Sequence, residues 1–133
     1  MTRGYANNNP GNIIKGIATF EGEVPSNDVR FRKFSTMAYG YRAMFVLLNS
    51  YIGKGFNTIE KIINRYAPSV ENNTVAYINA VVKSTGINAN QPISASETDK
   101  LIKLVSAISL HENGLKADIS VIQAGWNLLK KKE

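Results

Sequence analysis

The sequence predicts a mainly α-helical domain with a small β and loop region at its N-terminus. From Ser35 or Thr36 onward, apolar residues recur at spacings of three and four, which is the period of helices packed on a core. Residues 13–34 instead combine alternating side chains with turn sequences, which is typical of short strands. Because the chain has 133 residues and neither a repeat nor a low-complexity linker, we expect one domain, residues 1–133.

Residues 13–34 are expected to form a hairpin or short sheet. Apolar and basic side chains alternate from Val29 to Arg32, which is the period of a half-buried strand. Phe31 and Phe34 are interpreted as core residues, and the basic residues between them as solvated. Stretches rich in Gly, Pro, Asn and Asp separate the extended segments.

Five helices are predicted after the strands, each from an apolar stripe and from residues typical of helix ends. The first is capped by Ser35 or Thr36 and runs to about Ile52, where Gly53 and Gly55 end it. The other four are predicted from Asn57 to Pro68, from Asn73 to Gly86, from the capping box Ser94-x-x-Glu97 to Asn113-Gly114, and from Asp118 to the C-terminal lysines.

Composition excludes several kinds of site. The absence of Cys excludes disulfides, thiol catalysis and Cys-ligated metals, and a single His excludes a multi-His metal site. A Ser-His-Asp triad would have to use His111, and no nucleophile-elbow motif accompanies it. We therefore expect no metal and no cofactor. The formal net charge of +6 favours an anionic partner, such as nucleic acid, a membrane surface or bacterial cell wall.

No apolar run approaches the ~20 residues that span a membrane, and the N-terminus lacks the apolar segment of a signal peptide. We expect a protein made in the cytoplasm. Action outside it would need a virion, lysis or a secretion apparatus.

The opening segment, residues 3–13, carries the most distinctive polar cluster of the chain. Asn side chains both donate and accept hydrogen bonds, Pro10 fixes its φ angle, and Gly11 permits a tight turn. We expect a stiff loop that presents side-chain amides to a ligand made of hydroxyl and acetamido groups. The alternative is a tight turn whose Asn residues satisfy their own backbone. The amides belong to Asn7, Asn8, Asn9 and Asn12.

A carboxylate continues the apolar stripe of the fourth predicted helix. Four residues after Ile108 stands Glu112, at the helix end. Burial and the negative end of the helix dipole both favour the protonated form of a carboxyl group, which is the form that a general acid needs. The alternative is that Glu112 rotates outward into water. Glu71 is a second candidate, and its alternative role is a first-turn charge that stabilises a helix N-terminus.

These segments resemble a group of small phage and prophage proteins that are often labelled virion structural proteins. Phe20 stands where that group is expected to have Trp. The resemblance spans nearly the whole chain, and its blocks are Arg3-Gly4-x-x-Asn7-Asn8-Asn9-Pro10-Gly11-Asn12-Ile13, Phe34-Ser35, Gly40-Tyr41-Arg42-Ala43, Thr58-Ile59, Ile62-Ile63-x-Arg65-Tyr66-Ala67-Pro68, Glu71-Asn72-x-Thr74-x-x-Tyr77-Ile78, Thr85-Gly86, Ala107-Ile108 and His111-Glu112-Asn113-Gly114.

A second resemblance is to lysozyme-like peptidoglycan hydrolases and lytic transglycosylases, in which the catalytic Glu ends a helix and an Asn-rich segment follows. Residues 111–114 are similar to the Glu motif and residues 7–12 to the segment after it, in reversed chain order. This order implies a circular permutation of the lysozyme-like fold, which is plausible because domain termini often lie close together.

The second resemblance implies roles for the candidate residues. Glu112 would protonate the glycosidic oxygen between N-acetylmuramic acid and N-acetylglucosamine, and Asn8, Asn9 and Asn12 would hold acetamido and hydroxyl groups. Water would then attack in a hydrolase, or the muramic 6-hydroxyl in a transglycosylase. Three tyrosines are candidate cleft aromatics or core residues: Tyr41, Tyr66 and Tyr77.

The leading hypothesis is a peptidoglycan glycosidase, with the cell wall and other virion proteins as partners. The first alternative is a virion or wall-binding module without turnover. The second, least favoured, is a nucleic-acid-associated protein that uses the basic and aromatic residues 30–34. The oligomeric state is left open.

Overall fold

The computed structural model describes residues 1–69 and 72–131. The predicted fold class, mainly helical with a small β region near the N-terminus, is confirmed. Within the described residues the elements are α1 (Arg3–Ala6), β1 (Glu23–Val24), β2 (Lys33–Phe34), α2 (Met37–Gly53), α3 (Ile59–Tyr66), α4 (Thr74–Thr85), α5 (Thr98–Asn113) and α6 (Ile119–Lys131). No helix in this part of the chain is long and apolar enough to cross a membrane.

Helix α2 lies at the centre of the fold and has its most extensive contact with α6. The two backbones approach closely at Gly125, where a Cβ atom would lie 2.7 Å from the carbonyl oxygen of Ala38. Nearby, the rings of Phe45 and Trp126 pack edge to face with centroids 5.1 Å apart. Helix α4 packs on α5, and α3 packs on α4, so that the buried apolar faces of the helices meet in one core.

Several helix ends are as predicted. Thr36 caps α2 by accepting a hydrogen bond from the backbone N–H of Tyr39, and the side chain of Asn73 caps α4 by accepting one from the backbone N–H of Ala76. Gly86 ends α4 in the left-handed conformation, with φ of +72°, which residues with a Cβ atom adopt at a cost.

Two predicted N-caps are wrong. Thr58 caps α3 in place of Asn57, because its hydroxyl accepts the backbone N–H of Lys61. Helix α5 starts at Thr98, several residues after Ser94. The carboxylate of Glu97 does accept the backbone N–H of Ser94, but it closes a turn that precedes the helix.

The predicted burial pattern of residues 29–32 is also wrong. Val29 is 92% exposed, whereas Arg32 is only 6% exposed. Arg32 tolerates burial because its guanidinium donates to the carbonyl oxygens of Ile14 and Ala18 and pairs with Glu23 at 2.5 Å. In the described part of the chain, strand pairing is limited to short stretches: β1 and β2 pair antiparallel over two residues each, and an isolated bridge joins Ile14 to Phe31.

Candidate functional site

A cavity of about 380 Å³ opens between the N-terminal loop, α2 and α3, and Glu112 lies in its wall. Aromatic rings and amides make up much of the remaining wall, and arginines add positive charge. The lining residues are Gly11, Asn12, Ile13, Ile14, Phe20, Arg30, Phe31, Arg32, Leu47, Tyr51, Arg65, Tyr66, Ala67, Pro68, Asn72 and Glu112. A cavity of this size and mixed lining is typical of small-ligand sites.

Glu112 is held by a hydrogen bond to each of its carboxyl oxygens. It lies one residue before the end of α5 and is half-buried. The side-chain amide of Asn12 donates to Oε1 at 2.8 Å, and the hydroxyl of Tyr77 donates to Oε2 at 2.8 Å. Glu112 therefore does not rotate freely into water, and its carboxyl group faces the cavity in a fixed orientation.

Tyr77 supports Glu112 from within the core. The residue is 1% exposed, and the ring of His111 stacks on its ring with centroids 3.8 Å apart. Burial raises the pKa of the Tyr77 phenol far above its ordinary value, and the neighbouring Tyr66 and Glu112 raise it further. The phenol therefore keeps its proton and donates a hydrogen bond to the carboxylate.

The four asparagines of the loop have different roles. Asn9 is fully buried, and its side chain bonds the backbone of Ile13 and Arg32. Asn8, at φ of +50°, donates to the carbonyl oxygen of Phe34, and Asn7 donates to Asp28. The expected ligand-facing role is therefore corrected for these three residues, because their amides bind other parts of the chain.

Asn12 is the residue of this set that lines the cavity. Its φ of +50° is a left-handed conformation that Asn adopts more readily than most residues, and it directs the amide toward Glu112. The side-chain oxygen of Asn12 is buried without a hydrogen-bond partner in the described part of the chain. Asn12 is thus the member of the predicted amide cluster that contacts Glu112.

The three predicted tyrosines are separated. Tyr66 lines the cavity, and its hydroxyl donates to the carbonyl oxygen of Gly11. Tyr77 lies behind Glu112, as described above. Tyr41 is 1% exposed and its hydroxyl shares a hydrogen bond with Ser109, so it is a core residue and not a cleft aromatic.

Asn113 fixes the loop to the end of α5, a role that the sequence did not suggest. Its side-chain amide donates to the carbonyl oxygens of Pro10 and Ser109, at 2.7 and 2.9 Å. Its side-chain oxygen accepts the hydroxyl of Thr2 at 2.7 Å. The available signal was a polar residue at the end of an apolar stripe, next to the candidate acid.

The second candidate carboxylate, Glu71, lies outside the described residues. Two acidic residues of the N-terminal loop region are engaged in ion pairs. Glu23 pairs with Arg32, and Glu21 pairs with Arg42 at 3.3 Å. Within residues 1–69 and 72–131, His, Asp and Glu form no group of three that could hold a metal ion.

No protein-family model matches the chain. Protein P5 of Pseudoalteromonas phage PM2 is 43% identical to it over 117 residues, which cover 84% of this chain and 71% of that protein. An identity of this size over most of both chains indicates common descent and supports the phage resemblance. The chain therefore belongs to the family of protein P5 of Pseudoalteromonas phage PM2.

Proposed function

We propose that the chain is a phage peptidoglycan glycosidase in which Glu112 is the general acid. The observation that carries this proposal is the position of Glu112 at a helix end in a cavity wall, with both carboxyl oxygens held by neutral donors. A carboxyl group held in a fixed orientation in the wall of a cavity is the arrangement that a general acid needs, which supports the proposal.

The donors to Glu112 hold its carboxyl group in place during proton transfer. While the carboxyl group is protonated, Tyr77 and Asn12 can still donate to lone pairs of its oxygens, which leaves the acidic proton for the glycosidic oxygen. Once the proton has passed to the glycosidic oxygen, Tyr77 and Asn12 both donate to the new carboxylate, at the distances seen here. Hydrogen bonds to a charged oxygen are stronger than those to a neutral one, so the two donors keep the carboxylate in place after proton transfer.

The same carboxylate can then act as a base. In a hydrolase it would take a proton from the attacking water, and in a lytic transglycosylase from the muramic 6-hydroxyl, which closes a 1,6-anhydro ring. Glu71 remains our candidate for a second carboxylate. Phe31, Tyr51 and Tyr66 supply apolar faces in the cavity wall on which sugar rings can rest.

We also infer a circularly permuted lysozyme-like arrangement. The hydrogen bond between Asn12 and Glu112 joins residues 100 positions apart. It brings the Asn-rich segment next to the Glu motif in space, although their order along the chain is reversed. This contact supports the permutation, because the same neighbours would be consecutive in the unpermuted order.

Digestion of purified peptidoglycan by wild type, Glu112→Gln and Glu60→Gln tests the proposal. Gln keeps the shape of Glu112 but has no proton to give, and exposed Glu60 on α3 provides the matched control. We expect wild type and Glu60→Gln to release muropeptides, and Glu112→Gln to release none. Reducing ends in the mass spectra would identify a hydrolase, and 1,6-anhydro ends a transglycosylase.

A wall-binding module without turnover is the second candidate, favoured by the engagement of both Glu112 oxygens within the protein. Release by no variant, with wild type and Glu112→Gln sedimenting equally with sacculi, would support this candidate and refute catalysis. For either function, membership of a phage protein family supports delivery to the wall in a virion or at lysis, with virion proteins as partners.

A further inference from the structure

Gly4, in the short helix α1, packs directly on the residues that hold the site together. It is buried, and a Cβ atom on it would lie 2.6 Å from Oδ1 of Asn113 and 2.8 Å from Oδ1 of Asn12. The backbone oxygen of Asn9 would lie 2.8 Å from the same atom. Contacts below 3.0 Å are essentially never seen for Cβ atoms, so a residue with a side chain cannot stand here without displacing a neighbour.

The side-chain amide of Asn12 reaches from Gly4 to Glu112. Its Nδ2 donates to Oε1 of Glu112, and its Oδ1 is the buried oxygen that has no hydrogen-bond partner in the described part of the chain. In glycine a hydrogen takes the place of the Cβ atom, and this hydrogen points at that oxygen, which gives only a weak polar contact. Close packing on Gly4 and the bond to Glu112 therefore hold the amide between them.

The turn that carries Gly4 is itself bonded to its surroundings. The carbonyl oxygen of Gly4 accepts the backbone N–H of Asn9 at 2.7 Å, and the hydroxyl of Thr2 donates to Oδ1 of Asn113 at 2.7 Å. Because the turn cannot retreat without loss of these bonds, a methyl group at position 4 would push on the side chains of Asn12 and Asn113. The Asn12 amide would then move away from Glu112.

Resting on the proposed function, we propose that Gly4 is a positioning residue for the general acid. Because it has no side chain, α1 can close over the Asn12 amide and keep that amide against the carboxyl group of Glu112. Gly4 is not part of the cavity lining, so its effect on the reaction passes through Asn12. This gives a role to the glycine that stands near the start of the distinctive segment 3–13.

Gly4→Ala tests this role, with Gly125→Ala as the matched control. A Cβ atom at Gly125 would be equally crowded, with its nearest neighbour at 2.7 Å, but the atoms that it would meet belong to residues of α2 outside the cavity lining. On purified peptidoglycan, at a temperature where both variants are folded, kcat of Gly4→Ala should fall roughly ten- to hundredfold with little change in KM. Gly125→Ala should keep the wild-type kcat. In the Asn12→Gly background, which lacks the amide, Gly4→Ala should cause no further loss.

NMR provides a measurement that does not depend on turnover. The side-chain amide of Asn12 gives its own signals, and these change when its bond to Glu112 is lost. They should move toward the values of a free amide in Gly4→Ala and stay in place in Gly125→Ala. Thr2→Val removes the hydroxyl that binds Asn113 without adding bulk, and it should move the signals in the same direction by less. This variant decides the question if Gly4→Ala does not fold.

The outcomes separate this inference from the proposed function. Unchanged Asn12 signals would refute the positioning role while the role of Glu112 stands. An equal fall of kcat in Gly4→Ala and Gly125→Ala, or a further loss in the Asn12→Gly background, would show a general effect on folding and would also refute it. If even wild type cleaves nothing, but the Asn12 signals move as expected, Gly4 does fix the amide on Glu112 and it is the glycosidase proposal that fails.

Discussion

Substitution of Gly40 by Ala should displace the Asn-rich loop. Gly40 lies in α2 and is buried against that loop. A Cβ atom there would lie 2.6 Å from Cδ of Pro10 and closer still to the backbone oxygen of Asn8. Ordinary contact begins at 3.4 Å, so helix and loop would have to separate by at least about 0.8 Å. Neither neighbour is a flexible side-chain end, so the strain cannot be relieved by a rotamer change.

Overpacking of this kind typically costs about 1–3 kcal/mol. Ala has a higher helix propensity than Gly, which stabilises the folded state by up to about 1 kcal/mol, so we expect a net loss of roughly 1–2 kcal/mol in the free energy of unfolding. Gly53 is the matched control, because it is in the same helix and a Cβ atom there would meet nothing within 4 Å. Gly53→Ala should therefore be neutral or stabilising by up to about 1 kcal/mol.

Urea unfolding followed by circular dichroism measures both free energies, and peptidoglycan digestion at a temperature where both variants are folded measures the site. Because the loop carries Asn12, Gly40→Ala should also lower the cleavage rate, whereas Gly53→Ala should not. If the two variants were equally stable, the close packing of α2 on the loop would be refuted. A destabilised Gly40→Ala with wild-type activity would refute the dependence of the site on the loop.

Three further perturbations test separate contacts. Tyr77→Phe keeps the ring but removes a hydrogen-bond donor to Glu112. It should lower the free energy of unfolding by about 1.5–3 kcal/mol and also lower the cleavage rate. An unchanged denaturation midpoint would argue against that bond. Asn12→Ala should be less stable than Asn12→Gly by roughly 1 kcal/mol, because φ is +50° at this position, and equal midpoints would contradict the left-handed conformation. The pKa of Asp28 lies far below its ordinary value. The Arg3 guanidinium is the main cause, and the backbone N–H groups of residues 31 and 30 add to it. The stabilisation by Asp28 should therefore be complete above about pH 4 and should decline as pH falls further, and Asp28→Asn should flatten that decline in urea titrations at pH 2–6. Parallel declines in the two proteins would refute this role of Asp28.

Helix ends could be predicted from sequence where they depend on residues that are close together in the chain. Thr36, Asn73 and Gly86 act on backbone groups within four residues, so their residue type and position suffice to identify them. Caps were misplaced where neighbours have similar chemistry, as with Asn57 and Thr58. The burial of Arg32 was missed because its partners, such as Glu23, are brought to it only by the folded loop.

The site was predictable to a smaller extent. Helical periodicity predicted that Glu112 lies at the end of its helix, next to the apolar stripe, because that residue continues a stripe on its own helix. Its donors could not be paired with it from spacing, since Asn12 is 100 residues away and Tyr77 is 35 residues away. The asparagines were recognised as a group, but which amide would face the cavity depends on the positive φ angle at Asn12, which composition does not encode.

The Asn-rich loop completes the site by its attachment to one helix end. Thr2 and Pro10 are both bonded to Asn113, and Asn12 is bonded to the adjacent Glu112. The last turn of α5 thus fixes the loop, and the loop in turn orients the carboxyl group on that same turn. Since Asn7, Asn8 and Asn9 bond other residues of the N-terminal region, the polar cluster that marks the sequence serves mainly to hold the loop in shape, and Asn12 is the member that contacts the carboxyl group. An isolated α5 would carry Glu112 without its orientation, which is why residues at opposite ends of the chain must fold together before the proposed chemistry can occur.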